Sequence, residues 1–81
     1  MEIDIIWRYR KIGKKNYLSG NNKVLELNES AAFIVKKLID EVEEDVILSE
    51  MSKEFSIESD IAKKDYVNLI DHLIKIDVIV T

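Results

Sequence analysis

The chain has 81 residues, of which 47% are hydrophobic and 35% charged, and this predicts one domain with a thin core. It has no cysteine, so disulfide bonds and thiolate metal ligands are excluded. No stretch approaches the roughly 20 apolar residues that span a bilayer, and the N-terminus lacks a signal-peptide pattern. The sequence therefore predicts a cytoplasmic protein without a membrane partner.

Charge is divided unevenly along the chain, whose net charge is −4. Residues 1–23 carry six Lys and Arg against two acidic residues, a net charge of +4. Residues 24–81 carry six Lys against fourteen Asp and Glu, a net charge of −8. Nucleic-acid binding depends on clustered cations, so the acidic part predicts no nucleic-acid partner. The basic part is either solvated or contacts an acidic partner.

Three antiparallel strands are predicted in the N-terminal third, at residues 3–10, 15–19 and 23–27. The first alternates with period two, and Gly13 and residues 19–22 mark the turns that follow. Aromatic side chains of the first strand would pack in the core or contact a partner. One face of that strand would carry Ile3, Ile5, Trp7 and Tyr9, and the other Asp4, Ile6, Arg8 and Arg10.

The apolar period changes at Asn28, which predicts a first helix over residues 29–41. Asn is a favourable N-cap, because its side-chain oxygen accepts a hydrogen bond from a first-turn N–H. Further helices are predicted over residues 47–55 and 60–76. The final residues, VIVT, would pair as a short strand or close the core.

The third predicted helix has a wide apolar arc. Ser59 or Asp60 would cap its N-terminus. Its apolar side chains cover roughly 180° of the helical wheel, whereas ~100° suffices for a helix on a small core. One stripe would face the core, and an adjoining stripe would need another cover: strand three, a second subunit or a bound peptide. The core stripe comprises Ala62, Tyr66, Leu69, Leu73 and Ile76, and the adjoining stripe Val67, Ile70 and Ile74.

The sequence offers no pattern for catalysis. His72 is the one histidine, and it lies away from the core stripe of helix three. The acidic run at residues 41–45 lacks the alternate spacing and the glycine of a calcium loop. There is no glycine-rich phosphate loop and no nucleophile motif. We therefore predict that the protein is not an enzyme and uses no cofactor or metal.

The strand at residues 23–27 raises a separate possibility. Leu25 and Leu27 would face the core, while Val24 and Glu26 would point the other way. In a simple meander this strand lies at the edge of the sheet, with unpaired backbone N–H and C=O groups. Such an edge is either plain scaffold or a docking site for an extended peptide through β-augmentation.

Three motifs resemble those of PqqD-like domains, also called RiPP recognition elements, which bind the leader segments of ribosomally made precursor peptides. LNESAAFI resembles the family signature LN-x-T/S-G-A-x-I, which joins the last strand to the first helix. EMSKEFSIE and DYVNLIDHLIKIDVI are similar to two later family motifs. The chain departs from the family pattern at Ala31 and Asp77, which replace glycine, and at Val35, which replaces tryptophan.

The resemblance implies an α+β, winged helix-turn-helix-like fold of three strands and three helices. It also implies that a leader peptide adds as a strand beside residues 23–27 and enters a cleft against helix three. A separate maturation enzyme, a radical-SAM protein or a lasso-type leader protease, would then act on the peptide. The implied binding residues are Lys23, Val24, Leu25, Glu26 and Leu27 on the strand, and Lys63, Val67, Ile70 and Ile74 on the helix, with Tyr66 at its edge.

On that assignment, Ile70→Asp or Val67→Glu would abolish leader binding without unfolding the domain. Two alternatives stay open. A winged-helix DNA-binding regulator shares the topology, but its helix three would need a cationic surface. The lysines there are offset by aspartates: Lys63, Lys64 and Lys75 against Asp65, Asp71 and Asp77. A small assembly subunit would dimerise through the stripe on helix three.

Overall fold

A computed structural model of the chain describes residues 2–3, 6–20 and 22–80. Three strands form an antiparallel sheet in the order β2-β3-β4, three helices follow, and β1 pairs separately with β5. The predicted α+β, winged-helix-like architecture of a three-stranded sheet followed by three helices is confirmed. The elements are β1 (Glu2–Ile3), β2 (Arg8–Ile12), β3 (Lys15–Gly20), β4 (Lys23–Leu27), α1 (Glu29–Ile39), α2 (Glu44–Glu54), α3 (Ser59–Lys75) and β5 (Ile79–Val80).

The strand predicted over residues 3–10 is not continuous in the structure. Ile6 lies in a turn, and the pairing with β3 begins only at β2. β3 ends at Gly20, one residue beyond the partner of Arg8, so the chain before β2 has no further partner on that strand. It passes close to this glycine, since a Cβ on Gly20 would lie 2.8 Å from the Ile6 carbonyl oxygen and 3.0 Å from Trp7. The predicted faces nevertheless hold where they are described: Trp7 is buried in the core and Ile6 is half exposed. Residues 4 and 5 lie outside the described residues.

Tyr9 and the basic residues of the first hairpin differ in their exposure. The Tyr9 hydroxyl donates a hydrogen bond to the buried Asn16 Oδ1, and the Lys36 ammonium lies 5.5 Å from the centre of the Tyr9 ring. Tyr9 therefore contacts other residues of the domain and is only partly exposed. The cationic side chains are solvent-exposed, and their partner contact stays a prediction; they are Arg8, Arg10, Lys11, Lys14 and Lys15.

Two tight hairpins fix the register of the sheet. Ile12 pairs with Lys15, and Gly20 pairs with Lys23, so each loop contains two residues. Gly13 occupies the first position of its loop with φ +62°, a conformation that suits glycine in a two-residue hairpin. Because side chains alternate along each strand, this register decides which residues of β4 face α1.

Helix α1 begins as predicted and ends earlier than predicted. Asn28 Oδ1 accepts a hydrogen bond from the Ala31 N–H at 2.8 Å, which confirms the N-cap. The helix ends at Ile39 rather than residue 41, because Glu41 adopts a left-handed backbone with φ +58°. Such a residue cannot continue a right-handed helix.

The second and third helices begin before their predicted starts. Helix α2 starts at Glu44 instead of residue 47, since the acidic residues of the interhelical run form its first turn, where they suit the helix dipole. Helix α3 starts at Ser59, and its N-cap is Glu58, which makes no side-chain capping hydrogen bond. The predicted caps at Ser59 and Asp60 are therefore wrong. Asp77, at the glycine position of the family motif, has φ +63°.

The core draws on the segment before β2, on β3 and β4, on all three helices and on the C-terminal segment. Val78 and Ile79 are buried, and β5 pairs with β1, so the C-terminal residues both form a short strand and close the core. Over the described residues, no helix has the length and apolar character needed to cross a membrane. The buried apolar residues are Trp7, Leu18, Leu27, Ala32, Ile34, Val35, Ile47, Met51, Ala62, Tyr66, Ile70, Leu73, Val78 and Ile79.

Candidate functional site

Strand β4 lies at the edge of the three-stranded sheet. It pairs with β3 on one side, and within the described part of the chain no strand pairs with its other side. The edge position predicted for residues 23–27 is therefore confirmed. Its short link through Asn28 to α1 holds this edge at a fixed place against the helical body.

The hairpin register determines which backbone groups of β4 face outward. Gly20 and Lys23 close a two-residue loop, so they exchange hydrogen bonds with each other. In an antiparallel pair, residues that bond to the partner strand alternate with residues whose N–H and C=O point away from it. The outward-directed residues of β4 are consequently Val24 and Glu26. They present two donors and two acceptors to an added strand.

The side chains of β4 separate onto two faces. Leu27 is buried and Leu25 partly buried on the face that α1 covers. Val24 is 70% exposed on the opposite face, where Glu26 makes a 3.9 Å ion pair with Lys15. A strand added beside β4 would continue this alternation, so every second side chain would point toward the helices.

A surface depression of about 320 Å³ lies between the beginning of α1 and the middle of α3. Ile34, which is 1% exposed, and the partly buried Ala31 and Leu69 give it an apolar floor. Because Asn28 directly follows β4, the depression opens where that strand ends, on the side of the sheet that α1 covers. Its lining residues are Asn28, Ser30, Ala31, Ile34, Asp65, Asn68 and Leu69.

Helix α3 contributes one edge to this depression, which we call the sheet-side edge: Asp65, Asn68 and Leu69. Asp65 and Asn68 are exposed, whereas Leu69 is half-buried. None of these three residues is among the binding residues that the sequence predicts. The sequence did contain a signal for them. Asn28 caps α1 directly after β4, so the start of α1 lies beside the end of that strand, and the α3 edge next to the start of α1 is the one nearest to β4.

The predicted helix wall lies on the other edge of α3, which we call the α2-side edge: Lys63, Val67 and Ile74. Lys63 Nζ lies 2.7 Å from the Glu44 carboxylate of α2, which orients this edge. Val67 is 39% exposed, and Ile74 is half-buried. None of the three lines the depression. Their contact with a peptide stays a prediction.

The two remaining predicted helix residues are buried. Tyr66 is 2% exposed and Ile70 is 8% exposed, so both belong to the core. The predicted core position of Tyr66 is confirmed, whereas the exposed wall position predicted for Ile70 is wrong, because that side chain is buried. Contact of either side chain with a peptide stays a prediction. The buried face of α3 is centred between the two predicted stripes, since Ala62 and Leu73 are also fully buried.

The electrostatics differ between the buried face of α3 and its sheet-side edge. Burial, and to a smaller extent the Glu44 carboxylate, raises the pKa of the Tyr66 hydroxyl above its ordinary value, so this side chain stays neutral. Asp65 belongs to none of the three ion pairs found among the described residues. In the same part of the chain, no three His, Cys, Asp or Glu side chains gather in a metal-binding arrangement. The site thus combines an open strand edge, an apolar floor and a carboxylate.

Comparison with known proteins identifies the family. The sequence model of coenzyme PQQ synthesis protein D (PqqD) matches residues 16–79. No curated protein matches the sequence. The solved structure "TbiB1 in Complex with the TbiA(beta) Leader Peptide" is 15% identical and superposes with a TM-score of 0.86 over 96% of this chain and 93% of that one, which shows a shared fold. Because the family model covers well over half of the chain, the protein belongs to the PqqD family, the family that its motifs at residues 27–34, 50–58 and 65–79 resemble.

Proposed function

We propose that the protein is a non-catalytic module that binds the leader segment of a ribosomally made precursor peptide. The observation that carries this proposal is the open edge of β4 beside an apolar depression. A leader strand would bond to the outward N–H and C=O groups of Val24 and Glu26 and extend the sheet. The fold shared with TbiB1, whose structure contains a leader peptide, supports the same reading.

Side chains would supply the selectivity that backbone pairing lacks. Every second leader residue would share the face of Leu25 and Leu27 and point toward α1 and the sheet-side edge of α3. Apolar leader side chains could there cover Ile34 and Leu69. Backbone pairing would set the register, and this contact would distinguish one precursor from another.

Delivery to a maturation enzyme would complete the function. We infer that a cytoplasmic enzyme, a radical-SAM protein or a lasso-type leader protease, acts on the peptide while the module holds its leader. Holding both partners together raises the effective concentration of the peptide at the enzyme, by an amount that the geometry of the linkage sets. No catalytic group in this chain is required for that role.

Fluorescence anisotropy with two labelled ligands tests the proposal at near-physiological salt. One ligand is the leader encoded by a short reading frame beside this gene, and the other is a mixed-sequence DNA duplex. We expect saturable peptide binding in the micromolar range or below and no response to DNA. Salt-sensitive DNA binding without peptide binding would instead favour the winged-helix regulator.

Backbone methylation of the leader provides a matched control. Alternate backbone N–H groups of a docked strand point toward β4, and the others point away. N-methylation of the first set should weaken binding by about tenfold or more, whereas N-methylation of the second set should have a smaller effect. Equal effects of both sets would contradict β-augmentation.

Sedimentation of the peptide-free protein as a tight dimer would favour the assembly subunit.

A further inference from the structure

The depression beside the end of β4 has an apolar floor and a rim of hydrogen-bond acceptors. Ile34 and Leu69 lie in its lining with Ala31, and the Asp65 carboxylate is exposed at its edge. A purely apolar leader side chain would cover the floor but leave the carboxylate without a partner. The chemistry of the rim therefore carries information about the ligand beyond apolarity.

Three of the residues that line this depression offer side-chain oxygen acceptors: Ser30, Asp65 and Asn68. Asp65 makes no ion pair with any described residue, and Asn68 presents an exposed side-chain amide. Ser30 Oγ donates its hydrogen to Asn28 Oδ1 at 3.1 Å, so its lone pairs remain available to accept. An ammonium or guanidinium group carries several donors and no acceptor, and it complements such a rim.

The beginning of α1 raises the opposite possibility, because a helix N-terminus attracts anions. Here that attraction is already offset. The Ala31 N–H donates to Asn28 Oδ1, and the Glu29 side chain supplies a negative charge in the first turn. Residues 24–81 carry a net charge of −8 as well. A cation is therefore favoured over an anion at this depression.

We propose that the depression is a specificity subsite for one lysine or arginine of the leader. This inference rests on the proposed function. The residue would occupy a position of the docked strand near Leu27, on the face that points toward the helices. Its aliphatic stem would cover Ile34 and Leu69, while its charged end would reach the Asp65 carboxylate at the rim. Asp65 is thus a specificity-determining residue.

A selection from a displayed library of short extended peptides, randomised at every position, tests this assignment. The wild-type protein should enrich peptides with Lys or Arg at one fixed position, separated by one residue from an apolar side chain. Asp65→Lys should lose that preference and enrich Asp or Glu at the same position. Asp71→Lys makes the same charge change at an exposed position of α3 outside the depression, and it should keep the wild-type preference.

The affinity for the selected peptide then measures how much the contact between its cationic residue and Asp65 contributes to binding. Replacing its cationic residue by Met should weaken binding to the wild-type protein about tenfold and leave binding to Asp65→Asn nearly unchanged. Thermal unfolding of both Asp65 variants verifies that they remain folded. Binders without a cation at a fixed position, or an unchanged preference in Asp65→Lys, would overturn the subsite while leaving the proposed function intact. Failure to enrich any peptide would overturn both.

Discussion

The two edges of α3 look alike in sequence and differ in the fold. Each flanks the buried stripe with at least one apolar side chain and at least one polar one. The α2-side edge is linked to α2 by the exposed Lys63–Glu44 ion pair, whereas the sheet-side edge borders an open depression beside β4. The width of an apolar arc therefore predicts that something covers a helix, but it does not predict in which direction the unpaired surface lies.

The largest expected effect separates the buried face of α3 from its α2-side edge. Ile70→Asp places a carboxylate where the native side chain is 8% exposed, so we expect a loss of about 3–5 kcal/mol of unfolding free energy. Val67→Asp changes a side chain that is 39% exposed and should stay within about 0.5 kcal/mol of wild type. Urea denaturation measures both values.

The burial of Ile70 also corrects an expectation from the sequence. Ile70→Asp was expected to abolish binding without unfolding the domain, and a buried position does not allow that separation. If Ile70→Asp and Val67→Asp unfold at the same urea concentration, the core position of Ile70 is wrong.

The next largest expected effect is on leader binding, and it distinguishes the two edges of α3. Leu69→Asp puts a charge on the apolar floor of the depression and should weaken leader binding by roughly 30-fold. Val67→Asp makes the same change on the α2-side edge and should alter binding by less than about threefold. Anisotropy titrations measure both, after circular dichroism has verified the fold. The reverse order of effects would assign the cleft to the α2-side edge.

A smaller effect is expected when only one backbone group of the docking edge is removed. Glu26→Pro deletes an N–H that points away from β3, and edge strands tolerate proline at such positions. Leader binding should fall about tenfold with a stability loss of about 1 kcal/mol. Glu26→Ala is the matched control, because it removes the side chain and keeps the N–H. Equal leader binding by both variants would show that the leader does not dock on the backbone of β4.

Local signals in the sequence predicted most of the fold. Asn28 marks the start of α1 because capping depends on a single side chain and its neighbours. The break before β2 was missed because it depends on where the partner strand β3 ends, at Gly20, and the alternation within residues 3–10 does not record that partner. The edge position of β4 followed from simple connectivity, whereas the choice between the α3 edges depends on how α1 and α2 pack.

The buried face of α3 should also show a response to alkaline pH that the sheet-side edge lacks. Burial, and then Glu44, raises the pKa of Tyr66 above the ordinary value of 10.0. Above about pH 10 the unfolded chain loses this proton while the folded protein retains it, so the folded state binds more protons. The titration of Tyr66 therefore leaves the unfolding free energy unchanged below about pH 10 and lowers it as the pH rises further.

Urea denaturation across this pH range measures that fall. Tyr66→Phe removes the phenol and leaves the Lys63–Glu44 pair in place. The difference between the two curves should widen only above about pH 10. Glu44→Gln removes the smaller cause of the raised pKa and should narrow that difference, whereas Asp65→Asn on the sheet-side edge should not change it. Parallel curves for wild type and Tyr66→Phe would mean that the phenol is not held neutral by the core.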